Sequence, residues 1–422
     1  MARIRDILLS KSLTAIEVIL IGVLLVFGFT KDIASVEFHP DESFWIVSSV
    51  RLDKLLAGDF NSAVWTEDPI IIFEVRPLPS YFTAIGQRLG GISANELPAY
   101  WDWGLSDEEN IASGAMPDAE TIWWSRLPMA VIGAVSLLFI SVLLGNSHSR
   151  LAAYVFTLVS FNEYFLLQLR RAMSEASVLF FTVLAMLASI KLMTAVRNDD
   201  TRKSVQWALI AGLFSGLAGQ SKLTGLACAG IAILGVLLVF NSNPFRWFAI
   251  LQQRKILIVI LVVTVATIST FIASYPSFYE DMLDKISETL YARDQTLAFQ
   301  VATYTWMVIP PDQRGGLLFS RVFEYPINLH ANQWIMTMSL LANFLLAIVG
   351  LVYTVGQAFS GILHREIYLV LLLGALFFAA PMLFIPLDWD RYYLFPIFFT
   401  CIFFAIGISE MTIKLSRRHL HE

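Results

Sequence analysis

The segment LTAIEVILIGVLLVFGFTKDIASVEFHPDESFW, residues 13–45, indicates the fold class because it passes from an apolar run into a charged region. Its first part, residues 13–30, is almost wholly apolar and approaches the length of about 20 residues that a membrane-spanning helix requires. Charge returns immediately afterwards, and two adjacent carboxylates, Asp41 and Glu42, follow within a few residues. The pattern predicts a transmembrane helix that delivers an acidic segment to the membrane surface.

The residues before this helix indicate its orientation. Arg3, Arg5 and Lys11 precede the apolar run, and no small-residue cleavage motif follows it. We therefore expect a retained first helix rather than a secretory signal. Because basic flanks stay on the cytoplasmic side of a membrane, the chain from residue 31 is predicted to emerge on the other side.

The composition of the chain indicates a membrane protein. Hydrophobic residues make up 57% of the 422 residues, charged residues only 15%, and the mean hydropathy is +0.66. A soluble chain carries about a quarter charged residues. The net charge of -5 comes without a basic stripe, which argues against a nucleic-acid partner. Cys228 and Cys401 fall in apolar runs and are predicted to be small buried hydrophobes.

The apolar runs predict an all-α polytopic membrane protein with a single transmembrane domain over residues 1–422. About ten spans are expected, at 13–30, 123–145, 149–167, 173–195, 205–219, 222–240, 255–275, 334–356, 367–386 and 391–411. An even number of spans places both termini in the cytoplasm. The loops on that side then contain the basic residues Arg197, Arg202, Lys203, Arg246, Arg254, Arg365, Lys414, Arg417 and Arg418, as the positive-inside rule requires.

Two long segments are predicted outside, at 31–122 and 276–333. The first is too long to be a passive connection. Its residues 41–57 predict a helix in the membrane interface, with Pro40 at the first position and both acids in the first turn. Residues 77–90 predict a second such helix and 92–120 an acidic loop. The segment 276–333 predicts no particular element.

Several cations oppose the usual charge bias because they lie at the outer ends of the predicted spans. They are Arg76, Arg170, Arg171, Lys222 and Arg391. Such residues suit an anionic ligand, and a lipid phosphate reaches this depth with its tail between helices. The alternative is that each cation pairs with a nearby acid, for example Arg171 with Glu175, or extends to the headgroups. His39 and His330 are weak metal candidates because no paired histidine spacing supports them.

Six short motifs, in this order along the chain, resemble those of a known family. They are HPDE at 39–42, VRPLPSYF at 75–82, SRLPMAVIGAV at 125–135, RRAMSEA at 170–176, GLFSGLAGQSKLTGL at 212–226 and DRYYLFPIFF at 390–399. Together they resemble membrane glycosyltransferases of the GT-C fold, in particular protein O-mannosyltransferases and aminoarabinose (lipid A) transferases. Leu78 stands where the family has a second proline, and 276–333 has no counterpart.

The resemblance implies a GT-C-like bundle and an inverting glycosyltransferase in the plasma membrane, with its active site on the non-cytoplasmic side. A polyprenyl-phosphate sugar would be the donor, and a lipid, glycan or protein the acceptor. Asp41 would act as the base, with Glu42 orienting either the acceptor or Asp41. The donor phosphate would lie among Arg76, Arg171, Lys222 and Arg391, supported by Arg170, Glu175 and Tyr392. Binding of a divalent cation by Asp41 and Glu42 is an alternative role for these acids, and no other cofactor is implied.

Two other function classes fit parts of the pattern. A transporter or lipid flippase also places charges among its helices, but it more often shows two related halves, which the sequence lacks. A catalytically silent accessory subunit would not need the intact HPDE motif. The long outer segment with interfacial helices favours the enzyme.

Overall fold

The chain is described by a computed structural model over residues 10, 12–65, 76–240, 253–279, 281–328, 333–360 and 364–418, with 417 and 418 as backbone only. The all-α prediction is confirmed. Within these residues the regular structure is helical, and the one strand-like feature is an isolated antiparallel bridge between Val308 and Leu387. Both cysteines are free and buried, as predicted.

The helices of the first half are numbered in chain order. They are α1 (Ala15–Thr30), α2 (Glu42–Val47), α3 (Val50–Leu56), α4 (Pro77–Leu89), α5 (Asp107–Ala112), α6 (Ala119–Ser147), α7 (Arg150–Val159), α8 (Glu163–Gln168), α9 (Ser174–Arg197) and α10 (Thr201–Ser221).

The second half continues the numbering after a short 3-10 turn at Leu223–Leu226. Its helices are α11 (Ala227–Phe240), α12 (Arg254–Ala273), α13 (Met282–Thr303), α14 (Arg314–Glu324), α15 (Gln333–Phe359), α16 (Arg365–Ala379) and α17 (Leu394–Arg418).

Seven helical stretches in the described residues are long and apolar enough to cross a membrane, and they match seven of the ten predicted spans. The other three predicted spans are too short or not apolar enough to meet the same criteria. α1 is only 16 residues long, and α10 is long but less apolar. The predicted span at 149–167 is broken into α7 and α8, because Asn162 leaves the helix and caps the next one through Phe165 N at 2.9 Å.

The described part of the predicted first outer segment, 31–122, differs from its prediction in three ways. The expected helix at 41–57 is two short helices, α2 and α3, joined at Ser48 and Ser49. The helix begins at Glu42 rather than Pro40, and the Asp41 side chain at its N-cap makes no capping bond. The expected acidic loop at 92–120 contains α5, whose first turn is capped by Ser106.

The second predicted helix of this segment is confirmed as α4, although it is packed inside the protein. Nine of its 13 residues are buried. A side chain at Gly86 would come within 2.0 Å of the Trp124 carbonyl, so only glycine permits this close approach to α6. Within α10, Gly212 and Gly216 allow similarly close packing on α12. The glycine-rich motif therefore positions the end of α10.

Residues 307–309 of the predicted second outer segment fold onto the stretch before the last helix. Ile309 N donates to the Pro386 carbonyl at 2.7 Å, and Asp388 N donates to the Met307 carbonyl at 2.9 Å. These two bonds flank the bridge between Val308 and Leu387 and hold the segment beside residues 386–393.

The helices alternate in direction, so the ends that carry the predicted cations and acids lie together. Asp41 follows α1, Arg171 precedes α9, Lys222 ends α10 and Arg391 precedes α17. Glu17, a charged residue within the first apolar run, lies in α1 and pairs with Arg150 at 3.4 Å. The candidate functional site forms where these four helix ends meet.

Candidate functional site

Asp41 and Arg391 meet although they are separated by 350 positions in the chain. Nη1 of Arg391 donates to Oδ2 of Asp41, and the two side chains are 23% and 16% exposed. Asp41 is free to make this contact because its side chain does not cap α2. The acid after the first helix therefore faces the cation before the last helix.

A second ion pair joins Lys222 to Glu175, with Nζ 3.0 Å from Oε1. Lys222 is displayed at the end of α10, whereas Glu175 is buried in the first turn of α9. The ring of Tyr392 lies under both cations, 5.5 Å from Lys222 Nζ and 6.0 Å from the guanidinium carbon of Arg391. Tyr392 thus links the two ion pairs into one cluster.

Arg171 borders the same cluster but does not pair with Glu175, so the alternative of an ion pair between these two residues does not hold. Its Nη2 lies 3.4 Å from the Glu37 carbonyl, and its Nε has no hydrogen-bond partner among the described residues. Burial lowers the pKa of Arg171, and the charge of Glu42 offsets part of that shift. The lysine reaches Glu175 instead because the end of α10 lies directly against α9. Arg171 therefore retains an unused donor.

Glu42 lies at the edge of the cluster with both oxygens occupied. Arg126 binds it with two nitrogens, at 2.6 and 2.8 Å, and the backbone amides of His39 and Ala172 donate to it at 3.0 and 2.8 Å. Neither Glu42 nor Arg126 is exposed. Of the two predicted roles for Glu42, orientation of Asp41 is compatible with this arrangement, since no oxygen is open to an acceptor.

His39 completes the surroundings of Asp41. Its Nδ1 accepts from Asp41 N at 3.1 Å and lies 3.8 Å from Asp41 Oδ2. Burial lowers the pKa of His39, and the nearby charges of Arg391 and Arg171 lower it further, while Asp41 opposes them. A neutral imidazole with its proton on Nε2 satisfies this geometry.

Two predicted cations lie outside the cluster. Arg170 donates to the Gly28 carbonyl in the last turn of α1, so it caps that helix rather than supporting the site. Arg76 is 2% exposed and lies over the ring of Phe271, 5.7 Å from its centre. None of its three guanidinium nitrogens has a hydrogen-bond partner in the described ranges, and burial lowers its pKa to about 10. Arg76 is therefore a charged, buried side chain with unused hydrogen-bond donors.

The donor set does not suit a divalent cation. Asp41 and Glu42 are each neutralised by an arginine, and no group of three His, Cys, Asp or Glu side chains in the described part of the chain could hold a metal ion. His330 lies outside the described residues.

Sequence reasoning assigned no role to two residues that shape the site. Arg126 stands inside the apolar run of α6, and a charge in such a place is itself a sign of function or of a buried partner. Arg321 comes from the second outer segment and pairs with Asp388 at 2.8 Å. Nothing in the sequence around Arg321 indicates that contact.

The sequence matches the family described as dolichyl-phosphate-mannose-protein mannosyltransferase over residues 102–280. That range includes Arg126, Arg171, Glu175 and Lys222. No curated protein sequence gives a match to this chain.

Two solved structures from Archaeoglobus fulgidus are similar to this chain. One is the oligosaccharyltransferase AglB in complex with an inhibitory peptide and a dolichol-phosphate, with a TM-score of 0.50, 14% identity and coverage of 96% of this chain and 51% of that chain. The other is an oligosaccharyltransferase tethered to an acceptor peptide through a disulfide bond, with a TM-score of 0.50, 12% identity and coverage of 96% and 50%.

These matches confirm the predicted resemblance to the GT-C membrane glycosyltransferases. The structural similarity shows the fold. The chain spans about half the length of the solved structures that it matches.

Proposed function

We propose that this protein is an inverting membrane glycosyltransferase that uses a polyprenyl-phosphate sugar as its donor. The observation that carries the proposal is the contact between Asp41 and Arg391, next to Lys222 and its partner Glu175, where four distant parts of the chain meet. A carboxylate beside several cations is what base-assisted transfer from a phosphate leaving group requires.

In the proposed reaction, a hydroxyl or amide of the acceptor attacks the anomeric carbon of the sugar. The bond from that carbon to the acceptor forms as the bond to the phosphate oxygen breaks. Asp41 takes the acceptor proton, and the phosphate leaves with one more negative charge. Attack opposite the leaving group inverts the anomeric carbon. The described cluster offers no second open carboxylate for a covalent intermediate, since Glu42 is enclosed and Glu175 is paired.

Arg391 holds the central position because it pairs with the base before the donor arrives. While Arg391 is bound to Oδ2 of Asp41, that oxygen is occupied and is not open to an acceptor. When a donor phosphate enters, it competes with Asp41 for the guanidinium, because phosphate oxygens match the donors of arginine well. Donor binding would therefore free Asp41 at the moment when a base is needed.

Lys222 and Arg171 supply the remaining positive charge for the leaving group. Lys222 is 27% exposed, so it can reach a phosphate at the mouth of the cluster. Arg171 is buried, with an unused Nε donor, and would add positive charge from within the cluster. Preorganised cations in a partly dry site stabilise developing charge strongly, because they need no reorganisation during the reaction. Phosphate departure is the step they would accelerate.

The comparisons support the choice of substrates. The matched family is named for dolichyl-phosphate-mannose and protein mannosylation, and the similar solved structures carry a dolichol-phosphate and peptides. We infer a lipid-phosphate donor and a protein or peptide acceptor for this chain. We further propose that the site faces the non-cytoplasmic side of the plasma membrane, since the basic loops predicted for the cytoplasm lie at the opposite helix ends.

The test is sugar transfer by the purified protein in lipid nanodiscs, supplied with radiolabelled polyprenyl-phosphate sugars and an acceptor extract. We expect Asp41→Asn to lower transfer by about 100-fold or more, since that is the usual contribution of a positioned base. The matched control is Asp53→Asn, an exposed acid on α3 that pairs with Arg88. Normal transfer by Asp41→Asn would remove Asp41 from the reaction. Movement of the intact lipid across the bilayer without cleavage would identify a flippase.

A further inference from the structure

Arg321 brings the second outer segment into contact with the residues just before Arg391. Its Nη2 lies 2.8 Å from Asp388 Oδ2, and its Nη1 lies 3.9 Å from Asp390 Oδ1. The hydrogen bond to Asp388 raises the pKa of Arg321. Tyr393 donates to the other oxygen of Asp388 at 3.0 Å.

Arg321 is held firmly in this position. Its helix, α14, packs two aromatic rings on α15: Phe319 and Phe323 lie 5.0 and 5.1 Å from Phe344. Asn343 of α15 donates to the Phe323 carbonyl at 2.9 Å. The arginine is thus presented by a packed helix rather than by a loose loop.

The contact of Arg321 with Asp388 and Asp390 affects which partners are available to Arg391. Asp390 and Asp388 precede Arg391 by one and three residues, so both acids are close enough in the chain to compete for its guanidinium. In the structure Arg391 faces Asp41 instead, while Arg321 engages the two neighbouring acids. An opposite charge nearby is attractive over several ångströms in a partly buried site, so this division of partners matters.

We infer that Arg321 is a positioning residue: by neutralising Asp388 and Asp390, it leaves Arg391 available to Asp41 and to the phosphate of the donor. This inference rests on the proposed function. It assigns a role to the outer segment 276–333, for which the sequence predicted none.

The experiment measures the binding of farnesyl phosphate, a short polyprenyl phosphate, to the full-length protein in nanodiscs, together with sugar transfer and thermal unfolding. Arg321→Gln is expected to weaken binding by about 10-fold, because the two acids then compete with the phosphate for Arg391. Arg321→Lys should retain most of the affinity. The matched control is Arg314→Gln on the same helix, whose guanidinium donates to two backbone carbonyls of the described residues, those of Ile309 and Phe384.

A second set of variants separates positioning from plain structural support. Asp388→Asn with Asp390→Asn, made with Arg321 present, breaks the same ion pairs but removes the competing acids. We expect it to bind farnesyl phosphate within about 3-fold of the wild type, and to restore binding when combined with Arg321→Gln. If Arg321 is only a structural support, the two asparagine substitutions will weaken binding as much as Arg321→Gln does, and the inference is overturned.

The outcomes also distinguish this inference from the proposed function. If the wild type binds farnesyl phosphate and transfers sugar, while Arg321→Gln does both equally well, the inference fails and the proposed function stands. If the wild type neither binds the phosphate nor consumes the donor, the proposed function fails and the inference fails with it.

Discussion

Glu42 and Arg126 form a fully buried, two-pronged ion pair, in which Nη2 lies 2.6 Å from Oε1 and Nε lies 2.8 Å from Oε2. The remaining nitrogen of Arg126 donates to the carbonyls of Ile33 and Val36 at 3.0 and 2.7 Å. The Ala172 amide donates to Glu42 at 2.8 Å. The pair therefore ties the exit of α1 and the turn before α9 to α6, which fixes the place where Asp41 stands.

Glu42→Gln and Arg126→Gln should each lower the free energy of unfolding by about 3–5 kcal/mol, because each leaves one uncompensated charge in a dry interior. Thermal unfolding in detergent measures the change. The control is Lys203→Gln, which removes an exposed partner of Asp200 and should hardly move the unfolding midpoint. A Glu42→Gln protein that unfolds like the wild type yet transfers no sugar would assign Glu42 to the chemistry instead.

Substitutions of Lys222 and of Glu175 should affect the donor KM differently. Lys222→Gln removes a cation from the proposed phosphate site, so the donor KM should rise by about 10-fold. Glu175→Gln removes the acid that competes for Lys222, so the donor KM should stay the same or fall. Initial transfer rates over a range of donor concentrations measure both. An equal rise in KM for the two variants would indicate that the pair is only structural.

Much of this site could be predicted from the sequence because its members are charges at the ends of apolar runs. Asp41, Lys222 and Arg391 follow from that pattern together with alternating helix direction. The division of partners between Asp41 and Glu42 could not be predicted in the same way. Consecutive residues of a helical turn point about 100° apart, and only the packed structure determines which acid faces Arg391 and which faces Arg126.

The parts that sequence reasoning missed depend on contacts between distant segments. Arg321 is one cation in an unmatched segment, and its partner Asp388 is 67 positions away. The break after α7 was missed because the apolar run continues through Phe161, and the cap at Asn162 is a single residue. Such features depend on packing and capping, to which hydropathy is insensitive.

Substitution of Arg76 should stabilise the protein while weakening its proposed use of the donor. Its guanidinium is buried without a hydrogen-bond partner in the described residues and stays charged at neutral pH, since its pKa is about 10. Burying an unpaired charge is costly, so Arg76→Met should raise the thermal unfolding midpoint. If Arg76 also serves the donor phosphate, the same variant should raise the donor KM. A more stable protein with an unchanged donor KM would remove Arg76 from the phosphate site.

His39 gives a prediction about pH. Burial and the charges of Arg391 and Arg171 lower its pKa below 6.5 in the folded protein. The unfolded chain therefore binds a proton at a higher pH than the folded chain does. The stability contributed by neutral His39 is fully present above about pH 6.5 and is lost as the pH falls towards the folded pKa. Protonation also removes the Nδ1 lone pair that accepts from Asp41 N at 3.1 Å.

His39→Asn tests this because the amide oxygen of asparagine can still accept from Asp41 N, whereas the side chain cannot titrate. Between about pH 7 and pH 5, the unfolding midpoint of the wild type should fall further than that of His39→Asn. Transfer activity should follow the same order, since a protonated His39 places a second cation 3.8 Å from the Asp41 carboxylate, where it competes with the acceptor for that group. Parallel pH profiles for the two proteins would show that His39 does not titrate in this range, and the acid sensitivity would then belong to other groups.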